Sequence, residues 1–288
     1  MTTDGTTQRH VEEVIQATPA SDGDGVRLLR VFGGNNLARF DPFLMLDEFG
    51  SYEARDYIGG FPPHPHRGFE TVTYMLEGKM EHRDHMDNVG LLEPGDVQWM
   101  KAGAGVIHSE MPRQDHGRMR GFQLWVNLPA AEKMTPATYD DITSENIPTL
   151  SLAGAQIKAI AGVLTVNGEQ LTGAVTDRSS EPAYLDIQVG KDPFDLCVQV
   201  PDGHTALLYV YEGSAGAGAR QTPISARQLA RLSRTGEVRL TAAGDSRLLL
   251  ITGKPFGEPI VHHGPFVMNS QEEIDQAIGD YKAGRLAS

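Results

Sequence analysis

His64-Pro65-His66 and His108-Ser109-Glu110 are the two places where residue type and spacing together point to chemistry. In extended chain, residues two apart point to the same side. Pro65 holds His64 in extended conformations and cannot itself lie inside a helix. Both imidazoles of the first segment therefore face one way, as do His108 and Glu110 in the second. If the segments run on facing or neighbouring strands, four ligands meet at one point. Three neutral imidazoles and a carboxylate suit a first-row divalent ion, and iron(II), copper(II), manganese(II), nickel(II), cobalt(II) and zinc(II) all qualify. Four protein ligands leave about two positions open on a six-coordinate ion. That is room for a substrate oxygen and for dioxygen. A closed structural zinc site usually uses thiolates, and this chain has a single cysteine, Cys197.

Strands are needed to carry these pairs. Strand-prone runs recur between glycine, proline and asparagine turns: Val26–Phe32, Phe69–Leu76, Lys79–Asp84, Val97–Met100 and Phe122–Val126. The stretch from Arg67 to Ile107 is long enough for several strands to return the chain. Composition shifts between Pro129 and Pro136, which places a boundary near residue 135. Residues 1–135 then form a metal-binding domain and 136–288 a second domain. Further strand candidates follow at Ala155–Leu164, Tyr184–Val189, Cys197–Val200, Ala206–Tyr211, Val238–Leu240 and Arg247–Ile251. Thr71–Gly78 and Ala206–Gly213 echo one another, both ending in Glu-Gly, as two diverged copies of one domain would. Ser270 starts a C-terminal helix in which Ile274, Ala277, Ile278 and Tyr281 recur at helical spacing. The fold class is all-β, an antiparallel barrel or sandwich repeated, with one short helix.

Composition bounds the partners. The 288 residues carry a net charge of −13 and no dense cluster of lysines and arginines. Such a surface repels phosphate backbones, so direct nucleic-acid binding is not expected. No apolar run approaches the roughly 18 residues needed to span a membrane. The first ten residues read as a flexible tail without the basic and apolar regions of a signal peptide. A cytoplasmic protein is expected. Cys197, within Leu196-Cys197-Val198, reads as a buried thiol.

The segments Gly60-Phe61-Pro62-Pro63-His64-Pro65-His66-Arg67-Gly68-Phe69-Glu70, Pro94-Gly95-Asp96 and Gly105-Val106-Ile107-His108 resemble the two metal motifs of the cupin superfamily. More narrowly, Asp41-Pro42-Phe43-Leu44-Met45-Leu46-Asp47, His108-Ser109-Glu110-Met111-Pro112, Leu124-Trp125-Val126-Asn127-Leu128-Pro129 and Gly264-Pro265-Phe266-Val267-Met268-Asn269 resemble segments of the pirin family. The resemblance implies a bicupin, two β-barrels in tandem, with iron(II) in the N-terminal barrel only. It implies His64, His66, His108 and Glu110 as the metal ligands. Glu70 stands where many cupins place a carboxylate ligand, and here reads as a residue that orients an imidazole N–H or takes a substrate proton. Glu110 is the other candidate for that proton.

The resemblance also implies a dioxygenase of the quercetin 2,3-dioxygenase type, cleaving a flavonol with O2. The alternative is an iron-containing, redox-responsive regulatory protein that binds a transcription factor or enzyme partner; a metal-dependent isomerase is a third reading. The other histidines read as bland. His82 and His85, in Glu81-His82-Arg83-Asp84-His85, are expected to be exposed on a hairpin, and His262-His263 to cap a loop.

Overall fold

The computed structural model describes residues 7–34 and 36–287. Residues 1–6 of the expected tail and Asn35 lie outside them. Two compact units form, and neither is a single run of chain. One comprises Thr18–Ser144 with Phe256–Ser288, the other Met1–Ala17 with Glu145–Pro255. The boundary expected near residue 135 is a sequential cut, whereas each compact unit draws its chain from two places.

After β1 (Val11–Gln16), part of the second unit, the first unit carries β2 (Thr18–Asp22), β3 (Val26–Phe32), β4 (Phe43–Ser51), β5 (Phe61–His66), β6 (Phe69–Glu77), β7 (Met80–Asp84), β8 (Val89–Leu92), β9 (Val97–Lys101), β10 (Val106–Pro112), β11 (Met119–Asn127) and β12 (Thr138–Ile142). A seven-stranded sheet in the order β12-β9-β6-β11-β4-β3-β2 faces a four-stranded sheet, β5-β10-β7-β8. Leu28, Phe49, Met75 and Met119 of the large sheet pack with Met80 and Leu92 of the small one. The hairpin β25 (Val261–His263) and β26 (Phe266–Met268) and the helix α1 (Gln271–Lys282) complete this unit.

The second unit repeats the plan with β13 (Thr149–Leu152), β14 (Ala155–Ala161), β15 (Val163–Val166), β16 (Glu169–Thr172), β17 (Ala183–Val189), β18 (Phe194–Gln199), β19 (Thr205–Glu212), β20 (Ser214–Ala217), β21 (Thr222–Ser225), β22 (Gln228–Leu232), β23 (Val238–Ala242) and β24 (Arg247–Gly253). Its seven-stranded sheet runs β1-β22-β19-β24-β17-β14-β13 and faces a six-stranded sheet, β16-β15-β18-β23-β20-β21. Ile157, Leu208 and Leu250 pack there with Val198 and Leu240. The echoing segments, β6 and β19, are each third in their large sheet. β1 and β2 were not foreseen from sequence, and Gly162 splits the expected strand Ala155–Leu164 into β14 and β15.

The expectation of two closed β-barrels is corrected by this topology. The fold is all-β with one C-terminal helix, but each unit is a pair of open, cupin-like sheets. The edges supply a reason. β5 carries Pro62, Pro63 and Pro65, β2 carries Pro19 and β21 carries Pro223. Proline has no N–H to offer a further strand, so it terminates a sheet rather than closing it.

Two smaller readings also change. Arg9 of the expected tail is buried, its guanidinium donating to the carbonyl oxygens of Pro201, His204, Ser233 and Gly236. Cys197 is half-buried rather than in the core, with Sγ 3.1 Å from the Glu237 carboxylate. Burial and that carboxylate push the thiol up to about 11, so it stays protonated. The C-terminal helix starts as expected: Ser270 accepts from the Glu273 N–H and Glu273 reaches back to the Ser270 N–H.

Candidate metal centre

The two motif segments are neighbours. β5 and β10 pair antiparallel, with His64 opposite His108 and His66 opposite Val106. Same-face positions across such a pair bring side chains into contact. Ring centroids lie 4.7 Å apart for His64–His66, 4.4 Å for His64–His108 and 4.9 Å for His66–His108. One ligand atom from each ring lies within 4.8 Å of the others. Glu110 follows a bulge in β10 and sits opposite Phe61 on β5 and His82 on β7. It stands beside the histidine cluster on the wall of the same cavity.

The carboxylate of Glu110 is held in place. Thr73 Oγ1 lies 2.9 Å from it and 2.7 Å from the Gln123 side chain. A hydroxyl has one proton. Thr73 therefore shares its single proton between two acceptors, the Glu110 carboxylate and Gln123 Oε1.

The residues fit a divalent ion. His66 and His108 are buried, and among the described residues His66 Nδ1 and His108 Nε2 find no hydrogen-bond partner. Orphaned lone pairs inside a protein are costly unless something binds them. Burial, then the neighbouring imidazoles, hold both rings well below the usual histidine range, so they are neutral at physiological pH. His82 is lowered too, chiefly by burial. The cluster can thus hold a transition-metal ion.

A pH dependence follows for the metal-free protein. A folded-state value below the unfolded value of about 6.5 means the unfolded chain takes up protons the folded rings refuse. Stability is then intact above pH 6.5 and falls below it, by up to about 1.4 kcal/mol per pH unit for each of the three rings. Guanidinium titrations at pH 7.5, 6.5 and 5.5 measure this; a midpoint independent of pH would contradict it.

Glu70 stands apart from the cluster. Phe69 touches His66 and Thr73 touches Glu110, so odd-numbered residues of β6 face the site. Glu70 shares its parity with Val72 and Tyr74, and the ladder is regular from Glu70 to Tyr74. It therefore lies on the opposite face of the sheet. His82, read from sequence as exposed, is 1% exposed, and its Nδ1 lies 3.2 Å from Nδ1 of His108. His85 is exposed, as expected. His262 lines the cavity beside the cluster.

Two buried cations tie the metal strand to later chain. Arg67, next to His66, donates to the Ala104 carbonyl and pairs with Asp280 of α1 at 2.9 Å. Lys133 Nζ donates to the carbonyl oxygens of Gly68 and Val267 and to Asn127 Oδ1, at 2.7, 3.1 and 2.7 Å. Gly68 must be glycine: its φ is +89°, and a Cβ there would meet the Val267 oxygen at 2.0 Å.

The cavity beside the rings has a volume of about 720 Å³. Leu28, Met45, Phe49, Phe61 and Trp125 line its apolar part. Trp125 stacks edge-on to His66 at 5.4 Å and against Phe69 at 4.4 Å. Across the cavity Arg30 grips Asp47 through two bonds of 3.0 and 2.8 Å.

Comparison with known proteins agrees with this architecture. The sequence profile of the family described as Pirin matches residues 25–126, and that of the Pirin C-terminal cupin domain matches residues 184–287. The chain is 55% identical over 284 residues to a Pseudomonas aeruginosa protein described as a candidate quercetin 2,3-dioxygenase, covering 98% of this chain and 99% of that one. It is 40% identical over 269 residues to human pirin, covering 91% and 88%. The crystal structure of a quercetin 2,3-dioxygenase from Acinetobacter baumannii superposes with a TM-score of 0.87 at 35% identity, covering 98% and 99%. No helix among the described residues is long and apolar enough to cross a membrane. On both matched regions, and on its similarity to relatives over nearly its whole length, the chain belongs to the pirin family.

Proposed function

We propose that the chain is a metal-dependent dioxygenase that cleaves flavonols such as quercetin with O2. The observation that carries this reading is a three-histidine cluster, two of whose members, His64 and His66, line an aromatic-walled cavity. The ligand set of this reading is His64, His66, His108 and Glu110, with iron(II) as the ion. Copper, manganese, nickel, cobalt and zinc also suit nitrogen–oxygen donors. A bound ion would acidify a flavonol hydroxyl and supply the redox partner for O2.

The protein's own part is binding, orientation and proton handling. About 720 Å³ is within the range of small-molecule pockets. Trp125 and Phe61 offer flat faces for an aromatic ring system. Glu110, oriented by Thr73, takes the hydroxyl proton. Glu70 has no part in this scheme, because its side of β6 faces away. Its replacement by glutamine is expected to leave substrate and metal affinity unchanged.

Protein purified without added metal and analysed for elements fixes the ion; full zinc occupancy would count against the oxygenase. Protein with iron(II) restored is expected to consume O2 with quercetin, and no turnover above free metal would defeat the reading. Glu110→Gln preserves shape and the Thr73 contact but not the base. It is expected to bind the ion more weakly and, at saturating iron(II), to turn over roughly 10²–10⁴-fold more slowly, read by O2 electrode with metal content measured on the same sample. Unchanged turnover would remove Glu110 from the mechanism.

A further inference from the structure

His82 lies on β7 with its Cα opposite Glu110 of β10. It is buried, and its ring centroid is 5.0 Å from that of His108. The two Nδ1 atoms are 3.2 Å apart. Two imidazole nitrogens at that distance share one proton, so one ring donates and the other accepts.

Among the described residues Nε2 of His82 is as buried and unpartnered as Nε2 of His108, so the sense of that bond follows from which ring holds the ion. His64 Nδ1 lies 2.8 Å from the Pro62 carbonyl oxygen, which can only accept. A proton therefore sits on its Nδ1, which leaves Nε2 as the atom that could hold an ion. His108 has the same layout: Nδ1 is engaged and Nε2 is buried without a partner among the described residues. A lone pair on Nε2 requires the proton on Nδ1, and His82 must then be the acceptor. The reverse sense would put an N–H on Nε2 of His108, where a ligand needs a lone pair.

We propose that His82 is a positioning residue that fixes the tautomer and ring orientation of His108. It would do so by accepting the Nδ1 proton. The proposal rests on His108 being a metal ligand, as in the function proposed above. Most ligand histidines lean on a carboxylate, a carbonyl or water for this purpose; here the partner is another imidazole.

The test uses metal-free, ¹⁵N-labelled full-length protein and nickel(II) as the probe. Two-bond ¹H–¹⁵N spectra of the wild type are expected to show His108 protonated on Nδ1 and bare on Nε2. In His82→Phe, which keeps the ring shape but has no acceptor, His108 should populate the other tautomer. Calorimetry should then show nickel binding weakened about 10–100-fold. His82→Asn sets an amide oxygen near the place of Nδ1 and should restore most of that affinity. A proton on Nε2 of wild-type His108, or unchanged nickel affinity in folded His82→Phe, overturns the proposal. Should the phenylalanine variant not fold, the wild-type tautomer and the asparagine variant decide. His108→Ala separates the two claims: retained stoichiometric nickel there would overturn the ligand set itself.

Discussion

His66→Ala is expected to give a folded protein that binds a divalent ion roughly two to three orders of magnitude more weakly and no longer consumes O2 with quercetin. His66 is 3% exposed, and its ring touches both other rings of the cluster. A four-ligand protein site binds its ion with about 10–16 kcal/mol in the best-measured zinc cases. Losing one ligand of four therefore weakens binding by roughly two to three orders of magnitude. The fold should survive. β5 is held by its ladder to β10 and by Arg67 and Lys133 beyond its end, none of which involves the imidazole. The alanine also removes a buried ring whose Nδ1 lacks a partner, which offsets part of the cost of the cavity left behind. Elemental analysis, nickel calorimetry and the thermal midpoint of the metal-free protein test the three parts separately. Nickel affinity equal to that of the wild type in this variant would show that the ligands are misassigned.

Lys133→Met should produce the largest loss of stability, without touching a ligand. The ammonium is 1% exposed and gives its three protons to three carbonyl oxygens. Burial pulls the amine down to about 8, so it remains charged at neutral pH. Methionine matches the stem in volume but leaves the three acceptors dry. Each unsatisfied buried acceptor costs about 1–3 kcal/mol, relieved in part by relaxation and water entry. A net loss of about 3–5 kcal/mol is expected. It should appear as a lower denaturant midpoint at unchanged slope. Because Gly68 is two residues from His66, nickel affinity should fall as well. A variant as stable as the wild type would mean that the carbonyl oxygens find other partners.

The triad was legible because its information is local. Period-2 alternation and the backbone restriction by Pro65 place His64 and His66 on one side whatever the rest of the chain does. His82 was obscured by its charged neighbours Glu81, Arg83 and Asp84. The burial of β7 alternates, with Met80 and His82 inward and Glu81 and Arg83 outward. Sharing parity with Met80 was the signal that could have marked His82 as buried. Glu70 was unreadable for another reason. Gly68, at φ +89°, turns the chain between β5 and β6 and resets which residues face the site. Counting from His66 therefore says nothing about Glu70. Sheet closure and the composition of the two units depend on which distant strands share an edge, and no local pattern carries that.

The divided make-up of the metal-bearing unit has a consequence for biosynthesis. The proposed ligands His64, His66, His108 and Glu110 leave the ribosome long before residues 256–288, which supply the Val267 and Asp280 anchors. During translation the strands that carry them are present without their final braces. Ion insertion is thus expected to await synthesis of residues 256–288. Truncation before Val267, which removes both anchors, should weaken nickel binding although none of the proposed ligands lies there.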